Sequence, residues 1–246
     1  MNLIEVRDYE EMSQIAADYL VKQVRKNPAS VLGLATGGTP QKMYELLIAD
    51  HKKNKTNYNT ITTFNLDEYM GLKPTDPTSY RYYMDQNLFN HINVQEKNIN
   101  LPSGLAANVE EECKKYEVRI QEKGGIDLQI LGIGSNGHIG FNEPRTAFSS
   151  RTHVVNLTAS TREANARFFD SIKEVPTQAI TMGIATIMES KEILLLVSGE
   201  EKADAMKRLF SQEEPNEQFP ASILKNHPHV TIVADKKALK GVVVPV

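Results

Sequence analysis

Cysteine is nearly absent from this 246-residue chain: Cys113 stands alone, which excludes an internal disulfide and suits a reducing compartment. An excess of positive charge is missing too. The 28 Lys and Arg residues against 31 Asp and Glu give a formal charge of −3, which argues against a nucleic-acid-binding role. An anionic small molecule is still compatible, because it needs only a local cluster of cations. No apolar run approaches membrane-spanning length and the N-terminus shows no signal-peptide core, so the chain reads as cytoplasmic, without a membrane partner. Internal repeats, low-complexity tracts and linker-like stretches are also lacking, and residues 1–246 read as a single domain.

What is present alternates between helical and strand patterns. Residues 9–26 predict an amphipathic helix with Met12, Ile15, Ala16, Tyr19, Leu20 and Val24 on one side, stopped by Asn27-Pro28. Short apolar runs at 31–35, 61–66, 126–131, 152–157, 193–197 and 230–234 predict strands. Between them, 41–49, 79–91, 108–123 and 161–171 read as helices, with capping signals at Thr39, Asn108/Glu111, Ser160/Glu163 and Ser198/Glu201. Residues 51–59, rich in lysine, read as a solvated loop, and Cys113 packs on a helix face with Val109, Tyr116 and Ile120. This alternation predicts an α/β fold, a mainly parallel Rossmann-like sheet with helices on both faces.

Chemistry concentrates where strands end. In LGIGSNGHIGFNEP (131–144), closely spaced glycines free the backbone while Asn136, His138 and Glu143 supply polar side chains. An imidazole and a carboxylate after a strand's carboxyl end suit proton transfer. In Thr36-Gly37-Gly38-Thr39-Pro40, paired glycines leave backbone donors beside the positive end of a helix dipole, as phosphate sites do; neither the Walker nor the dinucleotide spacing is met. Asp67 and Glu68 end another strand. Only one can point into a crevice if the backbone stays extended, and position does not choose between them. Ser79 and Arg81 could reach a ligand, though surface capping explains both nearly as well. Arg167, among Ala166, Phe168 and Phe169, is either snorkelling or held against an anion. Lys202 sits in a helix's first turn, against the dipole, a placement most easily understood if it faces a bound anion.

Together, ATGGTP, FNLDEYMGL, LGIGSNGHIGFNEP and SGEEKA resemble the glucosamine-6-phosphate deaminase (isomerase) family, in its short non-allosteric form, from about residue 31 to about 235. The resemblance implies conversion of glucosamine 6-phosphate and water to fructose 6-phosphate and ammonium, without metal or organic cofactor. It selects Asp67 as the base that moves a proton from C2 to C1. It makes His138, assisted by Glu143, the ring-opening group, and it places the phosphate on Thr36, Gly37, Gly38 and Thr39 with Arg167 and Lys202. Asn136 replaces the aspartate of allosteric members and keeps a positional role, as a hydrogen-bonding partner of His138. A 6-phosphogluconolactonase-like hydrolase and a non-catalytic sugar-phosphate sensor are the competing readings. Residues 158–175 are the expected lid, and a monomer or small homo-oligomer the expected assembly.

Allosteric members carry cations after the NEP segment; here Arg151 is present, but His153 and Val155 replace the next two. The rate curve is therefore expected to be hyperbolic, with no activation by N-acetylglucosamine 6-phosphate. Initial-rate measurements with and without that compound check this, and sigmoidal kinetics relieved by it would contradict it.

Overall fold

The computed structural model describes residues 1–211 and 213–243, apart from the side chains of Ser160 and Ala164. Its strands are β1 (Asn2–Val6), β2 (Val31–Leu34), β3 (Thr62–Asn65), β4 (Asp67–Tyr69), β5 (Ile99–Asn100), β6 (Leu128–Leu131), β7 (His153–Asn156), β8 (Gln178–Thr181), β9 (Glu192–Val197) and β10 (Val230–Asp235). Between them run α1 (Tyr9–Lys26), α2 (Gly38–Asn54), α3 (Tyr80–Asn87), α4 (Val109–Glu122), α5 (Ala159–Asn165), α6 (Ile184–Met188) and α7 (Ala203–Phe210).

Among the described residues a seven-stranded sheet in the order β1-β10-β9-β6-β2-β3-β5 forms the centre, and every pairing in it is parallel. Strands β2 and β9 are covered on both faces and read as apolar runs: VLGL in β2 is wholly buried, as is ILLLV of β9, while β6 between them also buries Gln129. Right-handed crossovers then fix the helices. The chain moves one way across the sheet through α1 and α2, and the opposite way through α4 and α7, so the two pairs cover opposite faces. The expected mainly parallel α/β fold is the fold adopted.

The second sheet was not anticipated. Strands β4, β8 and β7 pair antiparallel in that order, so residues 152–157 form a strand that does not join the parallel sheet. Its outer residues alternate between half-buried and exposed, as a strand with one solvated face does. The edge strand β1 also escaped the reading, because only Val6 of it is buried.

Element ends differ where a local rule lost to its surroundings. Helix α2 runs on to Asn54, so Lys52 and Lys53 occupy its last turn, where cations suit the dipole, and it ends at Lys55 in the left-handed region, φ 59°. Thr39 does not cap it; Gly37 is the cap residue and contributes only backbone. Asn108 caps α4 as expected, accepting from the Glu111 N–H at 3.1 Å. Thr158, rather than Ser160, caps α5; the side chain of Ser160 lies outside the described residues. Ser198 does not cap a helix either: its hydroxyl donates to Asp235 at 2.5 Å.

The ends of β7 and β8 in the antiparallel sheet close tightly at Gly183, just before α6. A Cβ there would lie 2.1 Å from the Ser150 carbonyl oxygen and 2.3 Å from that of Arg151. Backbone atoms cannot swing aside as a side chain would. Gly183→Ala is expected to cost about 1–3 kcal/mol, read as a lowered urea midpoint at unchanged slope.

Candidate active site

The order of the parallel strands creates the site. From β2 the chain crosses toward β3, whereas from β6 it crosses the other way, toward β9. Loops leaving adjacent strands in opposite directions leave a crevice at the strands' carboxyl ends. The neighbours β9, β6, β2 and β3 deliver Lys202, 132–140, 35–39 and Asp67 to one place, a cavity of about 240 Å³. Of the expected residues, Thr36, Gly37, Thr39, Asp67, His138, Arg167 and Lys202 line it directly, while Asn136, Glu143 and Gly38 are not among its lining residues.

The two adjacent carboxylates have separate fates, and the backbone decides which. Leu66 is the only residue between β3 and β4, and its N–H and carbonyl bind Leu34 and Met182, at 3.1 and 2.6 Å. Asp67 therefore starts an extended segment and projects into the cavity, while Glu68 points the other way. Glu68 accepts from the N–H groups of Tyr69, Tyr80 and Arg81, at 2.8, 3.0 and 2.9 Å, and so anchors the start of α3. Burial raises both carboxyls above their ordinary range, but these three donors oppose the shift only in Glu68. Asp67 has no such relief: burial first, then the neighbouring Glu68, pushes it up to about 8.

His138 rests on Gly134, where a Cβ would come within 2.2 Å of its ring, so no larger residue fits beneath it. Its Nδ1 is buried, makes no hydrogen bond and lies 3.8 Å from Glu143 Oε2. Burial lowers the imidazole's proton affinity, Glu143 raises it, and Lys202 lowers it again. Asn136 is a hydrogen-bonding partner of His138, as the resemblance implies, but through the backbone rather than the imidazole. Its Oδ1 accepts the His138 N–H at 3.1 Å and its Nδ2 donates to Glu143 at 2.7 Å. It thus spaces imidazole and carboxylate.

Glu143 also reaches the segment expected to be the lid. One of its oxygens accepts from the hydroxyls of Thr158, at 3.3 Å, and Thr161, through a short contact. Thr161, Asn165 and Arg167 all line the cavity, so α5 and the turn after it form part of its wall. Arg167 lies over the Phe168 ring, 4.7 Å from its centroid. Burial and the nearby Arg167 lower the proton affinity of Lys202, and Glu201 offsets this. Two like charges pressed together at the end of a glycine turn call for an anion.

Ser79 and Arg81 do not enter the site. Ser79 caps α3, and Arg81 is paired with Asp85 and Glu96, at 2.9 and 2.7 Å. Sequence reasoning missed Tyr80 and Thr161. Tyr80 follows a helix cap, and nothing in its pattern marks it as inward; its ring stacks on Phe141, 6.1 Å between centroids. Thr161 was hidden by the assignment of the cap to Ser160. A wider groove of about 800 Å³ lies between α4 and β7 and holds Cys113 and His153. There Glu117 is taken by Thr152 and Thr186, and Arg151 by Glu189.

The sequence profile of the glucosamine-6-phosphate isomerases/6-phosphogluconolactonase family matches residues 7–233. The chain belongs to that family. It is 57% identical over 244 residues to a glucosamine-6-phosphate deaminase of Halalkalibacterium halodurans, covering 99% of both chains. It is 53% identical to the one of Oceanobacillus iheyensis, covering 98% of this chain and 96% of that one. A solved monomeric glucosamine-6-phosphate deaminase superposes with a TM-score of 0.96 at 49% identity, over 98% of this chain and 99% of that one. The 6-phosphogluconolactonase of Trypanosoma cruzi shares the fold alone: TM-score 0.80 at 20% identity, over 98% of this chain and 96% of that one. Within the family, then, this chain sits beside the deaminases.

The raised Asp67 carboxyl has a consequence for stability. Between about pH 4 and about pH 8 the folded protein holds a proton there that the unfolded chain has released, so wild-type stability falls as pH rises. Asp67→Asn lacks this ionisation. Its stability relative to wild type is expected to increase steadily across that window, as measured by urea midpoints near its two ends.

Proposed function

We propose that the chain is a glucosamine-6-phosphate deaminase, converting glucosamine 6-phosphate and water to fructose 6-phosphate and ammonium. The observation that carries the chemistry is the buried Asp67 carboxyl, raised to about 8 and without a hydrogen bond among the described residues, in the same cavity as His138. A carboxylate of ordinary acidity is a weak base toward carbon; one destabilised by burial is stronger.

The phosphate sits on the turn Thr36–Thr39 with Arg167 and Lys202 as counter-charges, which fixes the sugar's far end. His138 acts first. With Nδ1 turned to Glu143, Nε2 is the nitrogen left to take the proton of the anomeric hydroxyl and return it to the ring oxygen. Burial keeps the imidazole neutral and ready to accept, and Glu143 steadies its cation. Asp67, in its ionised form, then removes the C2 proton from the open chain, giving an enolamine across C1 and C2, and delivers that proton to C1. The C2 imine left behind takes up water and breaks its C–N bond, releasing ammonium and the ketose. A lactonase has no need of a carbon base at Asp67.

The chain acts as a monomer, as the solved deaminase it resembles is described. Among the described residues no helix is long and apolar enough to cross a membrane. We place the enzyme in the cytoplasm, where a buried thiol such as Cys113 stays reduced.

Asp67→Asn is expected to keep its affinity for the substrate while kcat for ammonium release falls about 10²–10⁴-fold. A near-wild-type rate would remove Asp67 from the role of base.

A further inference from the structure

We propose that Tyr9 and Tyr83 are positioning residues that orient the glycine turn 37–39 for an anion, an inference that rests on the phosphate site proposed above. Neither tyrosine is near the turn in sequence, and neither lines the cavity. They approach the turn from behind, from the starts of α1 and α3.

The Tyr83 hydroxyl donates to the Gly37 carbonyl oxygen at 2.7 Å. The Tyr9 hydroxyl donates to the Gly38 carbonyl oxygen at 2.8 Å and accepts the Lys42 N–H at 3.1 Å. Gly38 and Lys42 are the pair that the first i→i+4 bond of α2 would join, so Tyr9 bridges the opening turn of the helix. The phenol of Tyr83 is pushed above its ordinary value by burial and by Tyr9, so it remains a donor.

Peptide planarity turns these two bonds into a statement about the cavity. In a trans peptide the carbonyl and the following N–H point in opposite directions. Holding the Gly37 carbonyl toward Tyr83 aims the Gly38 N–H away from it, and holding the Gly38 carbonyl toward Tyr9 does the same for the Thr39 N–H. Among the described residues neither N–H finds a backbone acceptor. On that side lie the cavity and Arg167, whose nearest nitrogen is 4.0 Å from where a Gly38 Cβ would be. Lys202 shares the cavity, and burial together with Arg167 lowers its proton affinity.

Such a clamp is needed because the turn does not hold itself. Gly37 has φ +95° and nothing within 4 Å of its Cβ position. A glycine pair in open space can rotate its peptide with little steric resistance, and the rotated form presents carbonyl oxygens to the anion. The two hydroxyls select the form with N–H groups inward before any ligand arrives, so binding does not bear the cost of ordering them.

The test uses Tyr9→Phe, Tyr83→Phe and the double variant, with inorganic phosphate as the probe in calorimetry and glucosamine 6-phosphate in steady-state assays. Each single change removes one hydrogen bond and is expected to raise the phosphate Kd and the substrate KM together, about three- to tenfold. The double variant should exceed either, while kcat changes less than about twofold. A purely structural role would lower the urea midpoint and leave phosphate affinity unmoved. If the folded double variant binds phosphate as wild type does, the positioning role is overturned while the deaminase assignment stands. If wild-type protein binds no phosphate, the site it rests on fails and this inference with it.

Discussion

The reversal of crossover direction between β2 and β6 is the constraint on which the rest depends. Loops leaving two adjacent parallel strands toward opposite edges cannot pack on each other, so a gap opens above their carboxyl ends. Every polar group of the site stands at the rim of this gap or is brought to it by an element that starts there. The sheet beneath is largely buried, and its polar side chains Thr62, Thr63, Asn65 and Gln129 are enclosed with the apolar ones. That enclosure makes the rim's ionisable groups costly to bury, and that cost becomes the altered proton affinity of Asp67 and His138.

Two neighbouring carboxylates show how one backbone can divide labour. Asp67 and Glu68 are chemically near-identical and both buried, yet extended geometry sends them to opposite sides. One meets three N–H donors and becomes an anchor for α3. The other meets none among the described residues and is left basic. The same logic separates the imidazole from its carboxylate: Asn136 holds both without standing between them, so Glu143 influences His138 by field rather than by a hydrogen bond.

Much of this could be read from the chain. Helix α1 has the ends its apolar spacing predicts, and the four strand-end clusters converge as a parallel sheet requires. The antiparallel sheet was illegible because its strands are short and β4 follows β3 after a single residue, so Asp67 and Glu68 read as the end of the strand at 61–66. The choice between Asp67 and Glu68 needed the position of α3, which is not local information. The caps expected at Thr39 and Ser198 failed for a shared reason. At both places a glycine with positive φ turns the chain, and the polar neighbour is released to other duties. Tyr9 and Tyr83 left no mark in sequence because their partners are main-chain carbonyls, which any residue possesses.

The hydroxyls of Thr158 and Thr161 on Glu143 tie the covering helix to the ionisable pair below it. Lifting α5 would withdraw both donors and leave that oxygen of Glu143 to solvent, changing the field at His138 in the same movement. The same two hydroxyls therefore set the surroundings of the carboxylate beside His138, and one of them belongs to Thr161, which walls the cavity.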